Sequence, residues 1–222
     1  MKTVNQRRSG FTWVELLIVI VIIGVLAAVL YPAFNKGGHR PSPRVSCVSQ
    51  LKQLGNAFLQ YSQEYDERFP PVKLSDAKSV EAKNGEKHKP FGWADAIFVY
   101  VPDATVYQCP SEEKTAVTKD PTQSGYTDYW YNTNLSKLKL EKLVSPTQTI
   151  LSGDGNDGSE NTDARYSLNA LPQAWRDTEN SPARRHLDTA NYLFADSHVK
   201  SIKPQNIPTV PTQKTSYTFS IR

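Results

Sequence analysis

Phe11-Thr12-Trp13-Val14-Glu15, running without a break into Leu16–Tyr31 (LLIVIVIIGVLAAVLY), is the stretch that decides how this chain is organised. As a helix, residues 11–34 would extend about 36 Å at ~1.5 Å per residue. That is enough to cross a hydrocarbon core of ~30 Å. A single carboxylate, Glu15, stands near the start of this run. A charge inside a spanning helix costs roughly 2.5–3.5 kcal/mol at the centre and less near an end, so such a residue signals function. A secretory signal peptide has a shorter apolar core followed by a small-x-small cleavage site. Ala27-Ala28 imitates such a site, but the apolar run is too long for that reading. A plain anchor accounts for the hydrophobicity and leaves Glu15 unexplained.

Upstream lie Lys2, Arg7 and Arg8 with no acidic residue among the first ten positions. The whole chain carries a formal charge of +4, and without those ten residues 23 basic side chains face 22 acidic ones. The surplus charge is therefore a targeting feature, and composition offers no specific nucleic-acid partner. A basic flank is expected to stay cytoplasmic, placing everything after the apolar helix outside.

The run from Gly10 through Glu15, with the aliphatic Leu16-Leu17-Ile18-Val19-Ile20 behind it, resembles the prepilin cleavage and methylation motif. Type IV pilins and type II secretion pseudopilins share that motif. The resemblance implies that residues 1–10 are a leader, cut by a prepilin peptidase between Gly10 and Phe11, with methylation of the new Phe11 amine. Residues 11–34 would then be the transmembrane and assembly helix. Glu15, fifth in the cut chain, would pair with the N-terminal amine of a neighbouring subunit. Charge pairing in apolar surroundings favours that register, since neither group can stay buried alone. Trp13 stands where the motif usually has an aliphatic residue. Gly24 and Pro32 correspond to positions where such helices bend or melt. Implied partners are the peptidase, other pilin or pseudopilin subunits (a homopolymer), an inner-membrane assembly platform and membrane lipid. The implied location is a single-pass inner (cytoplasmic) membrane protein, filamentous after assembly.

Residues 35–44 (NKGGHRPSPR) are poor helix sequence and predict a hinge. Beyond it Val45, Val48, Leu51, Leu54, Phe58, Tyr61 and Tyr65 recur at three- and four-residue spacing, predicting an amphipathic helix over 46–65 with an aromatic stripe facing a core. Short β-like runs follow at 105–108, 126–131, 149–152, 190–195 and 198–202, with a short helix over 92–101, a connector at 135–144 and a polar loop at 73–89. Tyr217, Phe219 and Ile221 alternate as an edge strand would. Helix first and strands after predicts an α+β domain over 45–222, the helix packed on a small antiparallel sheet. With the apolar helix ahead of it, the whole resembles the pilin-like fold.

His186, nine residues, then Asp196-Ser197 resembles the H-x9-D-G ending of a bacterial subgroup of pseudopilin-like proteins, whose aspartate opens a hairpin turn. The segments 46–54, 107–111 and 145–151 match the same subgroup. Ser197 replaces the glycine, so a positive φ there would carry strain. A histidine bonded to the hairpin backbone is the simplest role for His186.

Cys47 and Cys109 are the two cysteines. In an exported domain one pair suits a disulfide, and two buried thiols are the alternative. Neither belongs to a C-x2-C pair, and no His/Cys spacing spells out a zinc site. No nucleophile elbow, phosphate loop or dinucleotide fingerprint is present, so an enzyme is not expected. Asp154, Asn156, Asp157 and Asp163 lie on a glycine-rich loop whose oxygens suit Ca2+, and calcium binding in an outer loop is what the pseudopilin resemblance implies. The same residues are ordinary turn formers. No other cofactor is suggested. The expectation is a structural subunit of a type II secretion pseudopilus or type IV pilus-like filament; the alternative is a minor pilin or tip module capturing DNA, sugar or a secretion substrate.

Overall fold

Trp13–Phe34 forms one helix, α1, of 22 residues. Its side chains from Trp13 to Tyr31 are exposed throughout, so the helix has no protected face of its own. The backbone stays helical through Pro32. In this computed structural model the described residues are 12–34, 42–74, 80–81, 87–88, 90–112, 117–158, 161–208 and 217–221. The chain divides into two units, residues 1–40 and 41–222. Of the predicted hinge, residues 35–41 lie outside the described residues. Its end is corrected: Pro43 and Arg44 already belong to the second helix, α2, which spans Pro43–Glu64. Proline is tolerated there because the first helical turn has no use for its missing N–H.

The buried face of α2 carries Cys47, Leu51, Leu54, Gly55, Ala57, Phe58, Tyr61 and Ser62. Cys47 takes the inward position in the first turns, while Val45 is exposed. The helix stops at Tyr65, and Asp66 and Glu67 turn the chain with φ of 53° and 55°. At Gly55 the helix lies so close to the sheet that a Cβ would meet Leu193 Cδ1 at 2.8 Å. A larger residue there would require the Leu193 side chain to shift.

The remaining elements are β1 (Val80–Glu81), β2 (Lys87–His88), α3 (Trp93–Ala96), β3 (Tyr129–Asn132), β4 (Ile150–Asp154), β5 (Ser167–Leu168), α4 (Gln173–Asp177), β6 (Ala190–Phe194) and β7 (Val199–Ile202). β1 and β2 pair with each other inside the stretch read as a loop. The main sheet runs β5-β3-β4-β6-β7. Four strands are antiparallel neighbours, and β5 adds a parallel edge to β3, so the sheet is mixed. The run 105–108 was expected as a strand. Ala104–Tyr107 is instead a 3-10 turn capped by Asp103, whose carboxylate accepts from the Thr105 amide at 2.9 Å. The C-terminal 217–221 makes a single parallel bridge, Thr149 to Thr218, and no extended edge strand.

Both faces of the sheet are buried. Period-two alternation sends Tyr129, Tyr131 and Leu193 toward α2, and Trp130, Tyr192 and Phe194 to the opposite side. Phe58, Trp93 and Tyr131 stack as a trio with ring centroids 5.4–5.5 Å apart. The aromatic stripe of α2 is thus core, as its spacing suggests. On the other face Phe219 returns to stack on Trp130 at 5.0 Å. The architecture is an α+β pilin-like fold.

Candidate functional site

Each unit carries one candidate site. At the head of α1, Thr12 and Glu15 cap the helix reciprocally. The Thr12 amide and hydroxyl both donate to Glu15 Oε2 at 2.8 Å, and the Glu15 amide donates back to Thr12 Oγ1 at 3.3 Å. This Thr-x-x-Glu arrangement is a capping box, in which orphan helix donors are satisfied locally. The signal that could have found it is the Thr-x-x-Glu spacing of Thr12 and Glu15. Gly10 and Phe11 lie outside the described residues.

The second site was not visible in sequence. The Cys47, Cys109, Asp154 and His186 side chains converge, their donor atoms all within 4.8 Å of one another, and all four residues are buried. The two sulfurs lie 2.6 Å apart, closer than unbonded sulfurs pack. His186 Nε2 is 3.7 Å from Cys109 Sγ and 3.3 Å from Asp154 Oδ2. Each donor comes from a different element: α2, the segment after the 3-10 turn, the end of β4, and the turn entering β6.

The surroundings explain why these side chains hold their places. The Cys109 amide donates to Asp128 Oδ2 at 2.7 Å, and Asn156 Nδ2 donates to Asp128 Oδ1 at 2.6 Å, tying the Cys109 segment to the sheet. Asp154 Oδ2 accepts from the Asn191 amide at 2.5 Å, while its Oδ1 has no hydrogen-bond partner among the described residues. Glycines on both sides of Asp154 make room for Trp130: a Cβ at Gly153 would meet Trp130 Cζ2 at 2.7 Å, and one at Gly155 would meet Trp130 Cδ1 at 2.8 Å. His186 sits on a tight turn, its amide donating to the Thr189 carbonyl at 2.8 Å. The two residues inside that turn, Leu187 and Asp188, have φ of 56° and 61°. Non-glycine residues held in this region store strain of order 1–3 kcal/mol each, a cost found mostly at functional positions. Beside it Arg185 reaches Glu112 Oε2 at 2.5 Å and the Gly155 carbonyl at 2.8 Å, an ion pair whose side chains are only 10% and 8% exposed.

The titrating groups respond accordingly. Burial pulls the His186 imidazole down, but Asp154 and Cys109 outweigh it and hold it at about 9. Contact with Cys47 draws the Cys109 thiol down to about 6 against burial, with His186 assisting, and Cys47 is driven up by the same contact. Burial pushes Asp128 up to about 6 despite its hydrogen bonds.

The other residues singled out from sequence fall elsewhere. Asp157 accepts from Trp175 Nε1 at 3.1 Å, Asp163 pairs with Arg165 at 2.6 Å, and Asn156 binds Asp128. Asp154 is turned to His186, and Asn156, which donates to Asp128 through Nδ2, accepts the Gly158 amide on Oδ1 at 3.1 Å, so the four loop side chains serve separate partners. Among the described residues, only Asp154 of this loop joins a grouping of His, Cys, Asp or Glu donors. Asp196 stands at the β6–β7 turn and accepts from the His198 amide at 3.2 Å. Ser197 adopts φ 69°, the strained value expected in place of glycine, and donates to the Gly55 carbonyl at 3.2 Å. His186 departs from expectation: its ring faces Asp154 and Cys109 rather than the hairpin backbone.

An exposed apolar helix headed by a capped glutamate, with an α+β domain after it, defines a membrane-anchored pilin-like protein. Residues 5–31 match the prokaryotic N-terminal methylation motif. Residues 43–190 match the family described as Protein of unknown function (DUF1559), and the chain belongs to that family. It is 35% identical over 83 residues to type II secretion system core protein G of Klebsiella pneumoniae, covering 37% of this chain and 58% of that protein. It is 27% identical over 174 residues to type IV major fimbrial protein FimA of Dichelobacter nodosus, covering 78% of this chain and 98% of that protein. Over 62 residues it is 42% identical to type IV major pilin protein PilA of Myxococcus xanthus, covering 28% of each chain. No solved structure matches.

Proposed function

We propose that the protein is a structural subunit of a type II secretion pseudopilus or type IV pilus-like filament, working by assembly and without catalysis. The observation that carries this reading is Glu15 at the head of a wholly exposed apolar helix long enough to cross a membrane. Such a helix must be covered by lipid before assembly and by neighbouring helices after it. In the membrane, Thr12 satisfies the Glu15 carboxylate locally. Cleavage between Gly10 and Phe11 would create an ammonium group beside it, and a neighbour's Phe11 amine would then replace Thr12 as partner. That exchange sets the axial register of successive subunits, since a carboxylate and an ammonium cannot both be buried unpaired. The basic leader orients the 45–222 domain away from the cytoplasm. The motif shared with pilins and pseudopilins supports a prepilin peptidase and an inner-membrane assembly platform as partners. Mass spectrometry of the membrane-extracted protein tests the reading: the N-terminus should be Phe11 bearing one methyl group. An intact N-terminus at Met1 in cells with active peptidase would refute it.

A further inference from the structure

The buried Cys47–Cys109–Asp154–His186 cluster has a geometry that neither helix packing nor filament assembly requires. In a hydrogen-bonded relay, an aspartate and a thiol would sit on opposite nitrogens of the imidazole. Here Asp154 and Cys109 face the same nitrogen, Nε2. Two sulfurs, one nitrogen and one carboxylate therefore gather within 4.8 Å of one another, and a buried carboxylate oxygen, Asp154 Oδ1, is left without a hydrogen bond among the described residues. A disulfide would account for the sulfur contact alone. It would leave the imidazole and the carboxylate buried against a neutral bridge.

We propose that these four residues bind one divalent transition-metal ion, with zinc favoured by the donor set. Thiolate and imidazole ligands in tetrahedral array select zinc, whereas calcium and magnesium take oxygen shells. Four protein donors, all buried, would fill a tetrahedral shell, which defines a structural site rather than a catalytic one. Zn–S bonds of ~2.3 Å at the tetrahedral angle place two sulfurs about 3.8 Å apart, so loading spreads Cys47 and Cys109 from their contact. Binding releases both thiol protons and any proton on His186 Nε2. The Arg185–Glu112 pair and the Asp128 link to the Cys109 amide form the outer shell that holds the ligand segments. A cleft lined by Arg44, Ser111, His186 and Leu187 leads to the His186 side and supplies an entry path. The ion would tie α2 to β4 and to the turn before β6, joining the start of the outer domain to its C-terminal half.

The test uses the full chain in detergent, purified with a tag lacking histidine and without chelators. Elemental analysis should find about one zinc per chain. Both cysteines should react with a thiol reagent only after denaturation with chelator. Replacing zinc by Co2+ should produce thiolate-to-cobalt charge-transfer absorption, a readout that needs no variant. Asp154→Asn and His186→Gln should weaken binding by more than the roughly 10–100-fold that loss of an outer-shell partner costs. A metal-free protein lighter by two hydrogens, with no reactive thiol after denaturation, would establish the disulfide and overturn the proposal. Full zinc content in a Cys47→Ser, Cys109→Ser double variant would overturn it equally.

Discussion

The Thr12 side chain and the Glu15 carboxylate close a reciprocal cap at the start of α1, with two donors from Thr12 converging on one carboxylate oxygen at 2.8 Å. The cap gives the glutamate a partner before any neighbouring subunit is present. Assembly must therefore compete with an internal bond rather than rescue a bare charge.

Glu15→Gln keeps a hydrogen-bonding group for Thr12 and removes the charge. Cleavage should proceed, while filament yield falls by at least tenfold. Shear fractionation with immunoblotting reads both quantities, and wild-type filament yield would remove the pairing role.

Thr12→Val separates the cap from the charge. Loss of a cap costs about 0.5–2 kcal/mol of helix stability, so the first turn should fray while Glu15 remains available to a neighbour. The expected result is normal cleavage with filament yield reduced far less than in Glu15→Gln. Equal loss in both variants would show that the cap, and not the ion pair, governs assembly.

Replacement of Gly10 by valine should leave uncut precursor in the membrane fraction. Electrophoretic mobility equal to the processed wild type would contradict cleavage after that residue.

In the outer domain, Gly153→Ala drives a methyl group to within 2.7 Å of the Trp130 ring and 2.9 Å of Tyr192. Overpacking of this kind costs typically ~1–3 kcal/mol. Phe58→Ala removes the centre of the aromatic trio and should cost about 3–5 kcal/mol. Denaturant unfolding of the detergent-solubilised chain measures both, and a loss below 0.5 kcal/mol (roughly the scatter for surface substitutions) would show that these contacts are not as tight as described.

Arg185→Leu removes the cation from a mostly buried ion pair and should destabilise the domain by about 3–5 kcal/mol. Lys139→Ala provides the contrast, since its pair with Glu141 is solvent-exposed at 3.4 Å and worth about 0–1 kcal/mol. Comparable losses in the two variants would refute the difference in burial.

Local chemistry wrote much of this molecule into its sequence. An unbroken apolar run and a single early carboxylate suffice for α1, because membrane length and charge burial are properties of one helix. Three- and four-residue spacing located α2, and short β-like runs between turn residues located most of β3, β4, β6 and β7. The 105–108 error arose because a β-like composition was overridden by Asp103, whose cap folded the segment into a 3-10 turn. Non-local placement lay beyond any spacing rule. Cys47 and Cys109 stand 62 positions apart, and Cys109 and His186 stand 77 apart. Asp154 read as part of an oxygen-rich loop, yet Trp130 occupies the space its neighbouring glycines leave, and its carboxylate is turned to Asn191 and His186. The sequence by itself determined the membrane helix, its charged head and the order of elements, since these depend on contacts within a turn or a strand. Only the tertiary structure decided which distant polar groups share one buried point, because that meeting depends on how α2 packs across the sheet.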